Sequence, residues 1–315
     1  MDWLKTSRAD PTAWLLQSDH PSIRYHTLTA LLDRQPQDPQ VREAQAAIPA
    51  FPAVATLLAQ QKKDGYWVKM DYYLPKFCGT FWTLSVLADL GLTGGDEHIQ
   101  RGCEFLFSFQ REHGGICRRR RVQGRGIVWD ELPEPCTQAR IVRFLIQFGY
   151  GADPRTKAAV DWLIATQRDD GMWHCRASRC GCLRATHDVL RVAVLDSRLA
   201  AQPGIPRAAE VLCDLLMKPR MGRYHVEDAW TILEYPYFNY SVISALDALA
   251  RLGYGLAELQ IREAVGFLLN RQLADGTWPL DRSPRRPPMD FGPVGQPNQW
   301  LTLDAARVLN LLYAA

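Results

Sequence analysis

Residues 167–173 read Gln167-Arg168-Asp169-Asp170-Gly171-Met172-Trp173, and the same pattern stands at 61–67 (QKKDGYW) and 272–278 (QLADGTW). The glycines Gly65, Gly171 and Gly276 are 106 and 105 residues apart. A period that long divides in half. QREHGGI places Gly115 between the first two copies, and KPRMGRY places Gly222 between the last two. The five glycines are then 50, 56, 51 and 54 residues apart, with Ile116 or Cys117 and Tyr224 where tryptophan stands elsewhere. Such self-similarity is the signature of a repeat architecture.

Each period carries two helical patterns. One precedes the glycine turn, at 41–60, 99–110, 154–167, 206–217 and 261–272. The second follows it, at 80–90, 136–148, 184–199, 238–252 and 300–313. Apolar residues recur at helical spacing, as at Ala264, Phe267 and Leu268. Gly91, Gly149 and Gly253 stop the second helices, and Asp38-Pro39 and Asp153-Pro154 open the next ones. Segments 11–17 and 22–32 supply a shorter sixth pair. No strand-period segment competes, so the pattern predicts an all-α chain of six helical hairpins closed in a ring, one domain over 1–315.

Gln-x-x-Asp-Gly-x-Trp turns in helical hairpins resemble the QW repeat of the squalene cyclases and protein prenyltransferase β subunits. The resemblance covers nearly the whole chain. It implies an (α/α)6 toroid, six inner and six outer helices around a central cavity, in which the Gln and Trp staple outer helix to turn. It also implies an enzyme acting on an isoprenoid or similar small molecule. The aspartate-rich D-x-D-D of proton-initiated cyclases is absent, and so is the magnesium-binding D-D-x-x-D of ionising ones: Asp169-Asp170 lies in a turn, while Asp188, Asp247 and Asp304 stand alone.

The prenyltransferases carry one zinc, held by an Asp-x-Cys and a distant His at the toroid mouth. Here residues 173–188, WHCRASRCGCLRATHD, offer C-x4-C-x-C-x4-H, and Cys136 begins the preceding inner helix. Zinc takes about four N/S ligands, so Cys136, Cys175, Cys182 and His187 form the expected set, with Cys180 spare and His174 an alternative to Cys175. The opposing reading is a group of reduced thiols beside a histidine. Cys78, Cys103 and Cys213 fall in helical patterns and read as core.

The inner helices carry polar stripes. Cys136, Arg140, Arg143 and Gln147 share one face, as do Arg184, His187 and Arg191, and Trp300, Asp304 and Arg307; Tyr237, Tyr240, Ser244 and Arg251 share another, and Thr83 stands beside Trp82. On an inner helix these stripes face the lumen, where an unpaired arginine is too costly. Either Asp304, Asp188 and Asp247 pair with the arginines, or an anionic ligand does. Arg140, Arg143 and Arg191 are therefore the candidate anion holders, Trp82 and Trp300 the apolar walls, and His187, Asp304 and Tyr240 the proton-transfer candidates. Arg118 to Arg121 and the proline-rich 279–297 read as loops at the same rim.

Two other functions fit the same pattern. One is metal-free lyase or isomerase chemistry by Cys175, Cys182, His187 and Tyr240, as in the linalool dehydratase-isomerase α/α barrel. The other is a non-catalytic toroid that binds a ligand or peptide, with zinc as a staple. A net charge of +3 on 315 residues gives no reason to expect nucleic acid. No 18-residue apolar run suggests a membrane span, and the first residues lack a secretion signal. A cytoplasmic protein with reduced cysteines and no nucleotide cofactor is expected.

Overall fold

Proline and aspartate start most of the helices in the computed structural model, which describes residues 2–175, 181–218 and 229–314 (for 120–122, the backbone). In order these are α1 (Thr12–Leu16), α2 (Pro21–His26), α3 (Pro39–Ala47), α4 (Pro52–Ala59), α5 (Thr80–Asp89), α6 (Glu97–Phe107), α7 (Pro135–Gln147), α8 (Pro154–Ala165), α9 (Leu183–Ala193), α10 (Ser197–Ala200), α11 (Ile205–Leu215), α12 (Val242–Arg251), α13 (Leu259–Asn270) and α14 (Gln299–Ala314). Asp38, Asp96 and Asp153 each accept a backbone N–H at a helix start, as N-caps do. The chain forms two compact units, 1–51 with 209–315, and 52–208. Among the described residues no helix is long and apolar enough to cross a membrane.

The repeated turns form one set of hydrogen bonds. Gln61 Nε2 donates to Gly65 O and to His98 O at the start of α6. Gln110 does the same to Gly114 and Arg155, Gln167 to Gly171 and Gly204, and Gln272 to Gly276 and Ala9. Each glutamine thus closes its own turn and ties it to a second segment. The tryptophans are fully buried, and each indole N–H caps a carbonyl in the last turn of the preceding helix. Trp67 reaches Leu57, Trp173 reaches Leu163 and Trp278 reaches Leu268, at 2.7–2.8 Å. Those carbonyls are among the last four of their helices and lack the usual i+4 donor; each also accepts a longer bond, 3.2–3.4 Å, from the residue three places on. The backbone N–H of the same tryptophans donates to Thr80, Thr186 and Thr302 on the following helix.

Several boundaries differ from the sequence expectation. The glycine of the second copy is Gly114, not Gly115, because Gly114 stands four residues after Gln110 and receives its bond. The helix expected over 41–60 is two helices, α3 and α4, since Pro49 and Pro52 interrupt it. The one expected over 184–199 stops at Ala193 and resumes as α10. α12 starts at Val242, where Ser241 and Ser244 form a reciprocal capping box, so Tyr237 and Tyr240 lie before the helix rather than on its face. Cys78 likewise precedes α5, whereas Cys103 and Cys213 are buried on α6 and α11.

The all-helical expectation missed one hairpin. β1 (Arg119–Val122) pairs antiparallel with β2 (Gly126–Trp129), Arg119 opposite Trp129 and Val122 opposite Gly126. Part of the predicted basic loop is therefore a strand. The Arg119 guanidinium lies over the Phe109 and Trp129 rings, 4.6 and 5.3 Å from their centroids. Gly222 and Tyr224 lie outside the described residues.

Gly114 has φ +85, and a Cβ there would stand 2.2 Å from Ala158 O. Gly149 has φ +96 but open space around it. Left-handed backbone costs an L-residue about 1–2 kcal/mol, so Gly149→Ala should lower unfolding free energy by about that much. Gly114→Ala adds a clash with main chain and should cost clearly more, about 3 kcal/mol. Urea denaturation of both variants checks this; equal losses would remove the steric part of the argument.

Candidate active site

The sequence-selected stripes of unit 52–208 meet where α5, α7 and α9 pack. Nearly every residue of these helices is buried, so their charged side chains must find partners within the protein. Arg140 Nη2 donates to both carboxylate oxygens of Asp188, at 3.3 and 3.2 Å, and both residues are almost fully buried. Arg143 grips Asp89 with a two-pronged fork of 2.7 and 3.2 Å. Arg140 thus pairs with one of the expected carboxylates, Asp188, and Arg143 with Asp89, which was not among them. Among the described residues Arg140 Nη1 is buried with no hydrogen-bond partner.

His187 is completely buried, its Nδ1 3.1 Å from Asp188 Oδ1. Burial pushes its pKa down, against the pull of the Asp188 carboxylate, so the ring is neutral. Burial alone would raise Asp188. The Arg140 charge and the His187 bond outweigh it and hold the carboxyl well below the usual range. An ionised Asp188 accepts, so Nδ1 carries the hydrogen and Nε2 is the basic nitrogen. The Arg191 charge bears on both His187 and Asp89.

Thiols border this layer. Cys182 precedes α9 as its N-cap residue, and its N–H bonds Trp173 O at 2.8 Å. The Cys175 thiol and burial both push the Cys182 thiol well up. Burial likewise raises Cys136, near the start of α7, with the Arg184 charge opposing. Cys136 and Cys175 each bear on the Cys182 thiol or feel its charge, and His187 is engaged by Asp188. His174 Nε2 is bonded to Asp170, 2.8 Å away. Among the described residues no group of three or more His, Cys, Asp or Glu side chains is arranged to hold a metal ion. The spare cysteine of the expected set, Cys180, lies outside them.

Trp82 is buried on α5. Its indole N–H donates to Tyr73 O, and its ring packs on Tyr73, Phe77 and Phe81. Tyr73 has its phenol pushed up by burial and feels Arg184 and Cys136. Neither Tyr73 nor Asp89 was selected from sequence. An acidic residue closing an otherwise apolar helix was the available signal for Asp89, while Tyr73 sits in an irregular segment that carries none.

The remaining candidates belong to the other unit. Trp300, on α14, stacks on Tyr235 at 5.4 Å, with His20 and Phe291 at its edges. Asp304 pairs with Arg307 at 3.2 Å and faces the Tyr237 hydroxyl. Arg307 also reaches Asp247, which pairs with Arg251. Tyr240 packs on Trp230 and lines a small cleft with Tyr237, Asn239, Glu234 and Arg282.

No family model matches the chain, and no curated protein does. Solved structures with some likeness include a protein from Actinoplanes, 20% identical over 94% of this chain and 90% of that one, TM-score 0.46. The type II terpene cyclase MstE from Scytonema is 18% identical over 94% and 88%, TM-score 0.47. A variant of that cyclase in complex with its substrate, geranylgeranyl dihydroxybenzoate, is 17% identical over 94% and 87%, TM-score 0.47. Likeness at this level carries neither fold nor chemistry to this chain; both rest on its own residues.

Removing one partner of a buried ion pair strands the other, which costs about 3–5 kcal/mol. Asp188→Asn should fall in that range, and Asp89→Asn, whose carboxylate is a quarter exposed, well below it. Acid should act through the histidines. His187 is held neutral in the fold, and burial holds His20 down to about 4. Unfolding lets both protonate near the ordinary value of about 6.5. Stability should therefore fall as pH drops from 6.5 towards 4, and fall further below about 4 as Asp188 loses its ionised advantage. His20→Gln with His187→Gln should flatten the upper part of that decline in urea titrations at stepped pH.

Proposed function

We propose that this chain is an enzyme of the squalene-cyclase and prenyltransferase-like α/α toroid kind, acting on an isoprenoid or similar small molecule among its inner helices. The repeated Gln-Gly-Trp turns support the architecture. So does the last of them, whose Gln272 bonds back to Ala9 near the N-terminus. The observation that carries the chemistry is the buried Arg140–Asp188–His187 set. A buried neutral histidine, oriented by an ionised carboxylate, suits general acid–base work. In this reading His187 Nε2 takes a proton from the substrate or returns one, while Asp188 holds the ring and steadies the imidazolium. Arg140 offers Nη1 to a polar or anionic head group. Arg143 and Arg191 keep the surroundings positive, and Trp82 lines an apolar wall, a part Trp300 would take in the other unit. Asp304 and Tyr240 are the proton-transfer candidates of the other unit.

Elimination or isomerisation without a metal is a second form of this chemistry, which the His187–Asp188 pair can serve by itself. Asp188 holds His187 by its Nδ1 and leaves Nε2 for the proton. A zinc held by Cys136, Cys175, Cys182 and His187 is also part of the proposal; if bound, it would supply thiolate or Lewis-acid chemistry. Metal analysis of the purified chain tests it. About one zinc per chain, lost in Cys182→Ser, supports the metal, and a chain without zinc removes it.

Turnover tests the enzyme. The full chain should convert at least one of a panel of C10–C20 prenyl alcohols, prenyl diphosphates and squalene, with products read by gas chromatography and mass spectrometry. His187→Gln should lose at least 100-fold in kcat while retaining its helical spectrum, in line with the ~10²–10⁴ that general acid–base groups contribute. Binding without conversion would leave a non-catalytic ligand-binding protein, and neither binding nor conversion would overturn the reading.

A further inference from the structure

Residues 68–77 and 118–129, both in unit 52–208, carry charge and apolar surface that the proposed proton chemistry does not use. By sequence they hold seven lysines and arginines against one acid, Asp71, on a chain whose net charge is only +3. The rest of the chain is therefore acidic on balance. Among the described residues, four of the eight exposed large apolar side chains stand in the same two segments: Val68 at 50%, Met70 at 58%, Leu74 at 39% and Ile127 at 65%. The segments touch. Arg118 Nη2 lies 3.4 Å from Asp71 Oδ2, its guanidinium covers the Tyr73 ring at 4.7 Å, and the Tyr72 hydroxyl donates to Ile116 O. This surface is held out rather than left loose. Tyr72 is buried, and the N–H groups of Tyr73 and Leu74 both donate to Asp71 Oδ1. Val68 has φ +64, a left-handed conformation that is an outlier for a β-branched residue. Burial of its side chain does not repay that strain, and strain without such a return marks functional segments.

We propose that residues 68–77 and the β1–β2 hairpin form a docking surface for an anionic lipid bilayer. The lysines and arginines meet lipid phosphates, an attraction that acts within a Debye length of the surface. Val68, Met70, Leu74 and Ile127 enter the boundary between head groups and acyl chains. One partner has to meet both chemistries. Nucleic acid offers the charge but no place for four aliphatic side chains, and a neutral membrane offers the reverse. A bilayer with anionic head groups presents both, charge at its surface and hydrocarbon just beneath. Exposed apolar side chains gathered beside basic ones are the pattern that such interfaces select. The Arg119 guanidinium, over the Phe109 and Trp129 rings, already fixes the base of the hairpin, so docking requires little further ordering of the strand. The attachment is peripheral, and no helix needs to cross the membrane.

The inference does not rest on the enzymatic reading, and its test reads binding rather than turnover. The full chain is sedimented with vesicles of phosphatidylcholine alone and of phosphatidylcholine with phosphatidylglycerol. It should go down with the anionic vesicles and not with the neutral ones. Salt at 1 M, where the Debye length is about 3 Å, should release most of it. Lys69→Glu with Arg125→Glu should lower the partition coefficient about tenfold or more, since each basic residue near such a surface contributes a factor of about five. Met70→Ser with Ile127→Ser should lower it to a similar degree. All four positions are exposed, so the helical spectrum should not change. Leu259→Ser, at an exposed leucine of the other unit, should bind as the unaltered chain does. Sedimentation with neither vesicle, equal binding to both, or patch variants that bind like the unaltered chain would each overturn the proposal. Retention on immobilised polyglutamate without vesicle binding would make the partner an acidic protein, and would overturn it too.

Discussion

A glutamine side chain that bonds two carbonyls at once is the constraint on which the rest of this chain depends. Gln61, Gln110, Gln167 and Gln272 each spend their amide on the glycine of their own turn and on the start of another segment. Two buried acceptors are satisfied by one side chain, which matters because an unmade buried hydrogen bond costs about 1–3 kcal/mol. The glycine is required for a second reason. At Gly114 the neighbouring segment comes so close that a Cβ would strike Ala158 O. The same close approach that makes the glutamine bond possible thus excludes every other residue from the turn.

The charged layer on α7, α9 and α5 imposes the opposite demand. It does not hold the fold together cheaply: a buried ion pair roughly balances desolvation against attraction, and an apolar replacement is often as stable. Its cost is limited by pairing Arg140 and Arg143 with carboxylates and by giving Asp188 two donors, Arg140 and His187. What that arrangement does provide is a fixed protonation state. Asp188 stays ionised, His187 stays neutral, and the ring is held in one orientation. Such separation of protonation states between adjacent groups is more useful to chemistry than to stability.

How much of this the sequence disclosed depends on whether the signal was periodic. The helical hairpins, the buried tryptophans and the stripes of Arg140, Arg143, His187 and Arg191 all follow from spacing, and the structure brings these residues onto packed helices. Asp89 was missed because a partner is chosen by three-dimensional proximity, to which spacing is blind. The β1–β2 hairpin was missed because a run of arginines reads as solvated loop, although Gly124 and Gly126, both left-handed, mark a turn within it. Gly115 was taken for Gly114 because the two glycines are adjacent, and only the bond from Gln110 distinguishes them.

The repeat also explains why the polar candidates fall where they do. In each described copy one polar side chain of the second helix accepts the backbone N–H of the turn residue at the tryptophan position. These are Thr80 for Trp67, Gln138 for Ile116, Thr186 for Trp173 and Thr302 for Trp278. That bond fixes the rotation of the helix about its axis. Two residues further on stand Trp82, Arg140, Asp188 and Asp304. One position of the repeat therefore carries an aromatic wall, a guanidinium and two carboxylates. The clamp is nearly constant, since a turn must be anchored in every copy, whereas the residue two places on has no part in the anchoring and can vary. A side chain held on a fixed rotation yet free in identity is what a scaffold needs in order to host chemistry, and in this chain the buried charges of α7 and α9 occupy it.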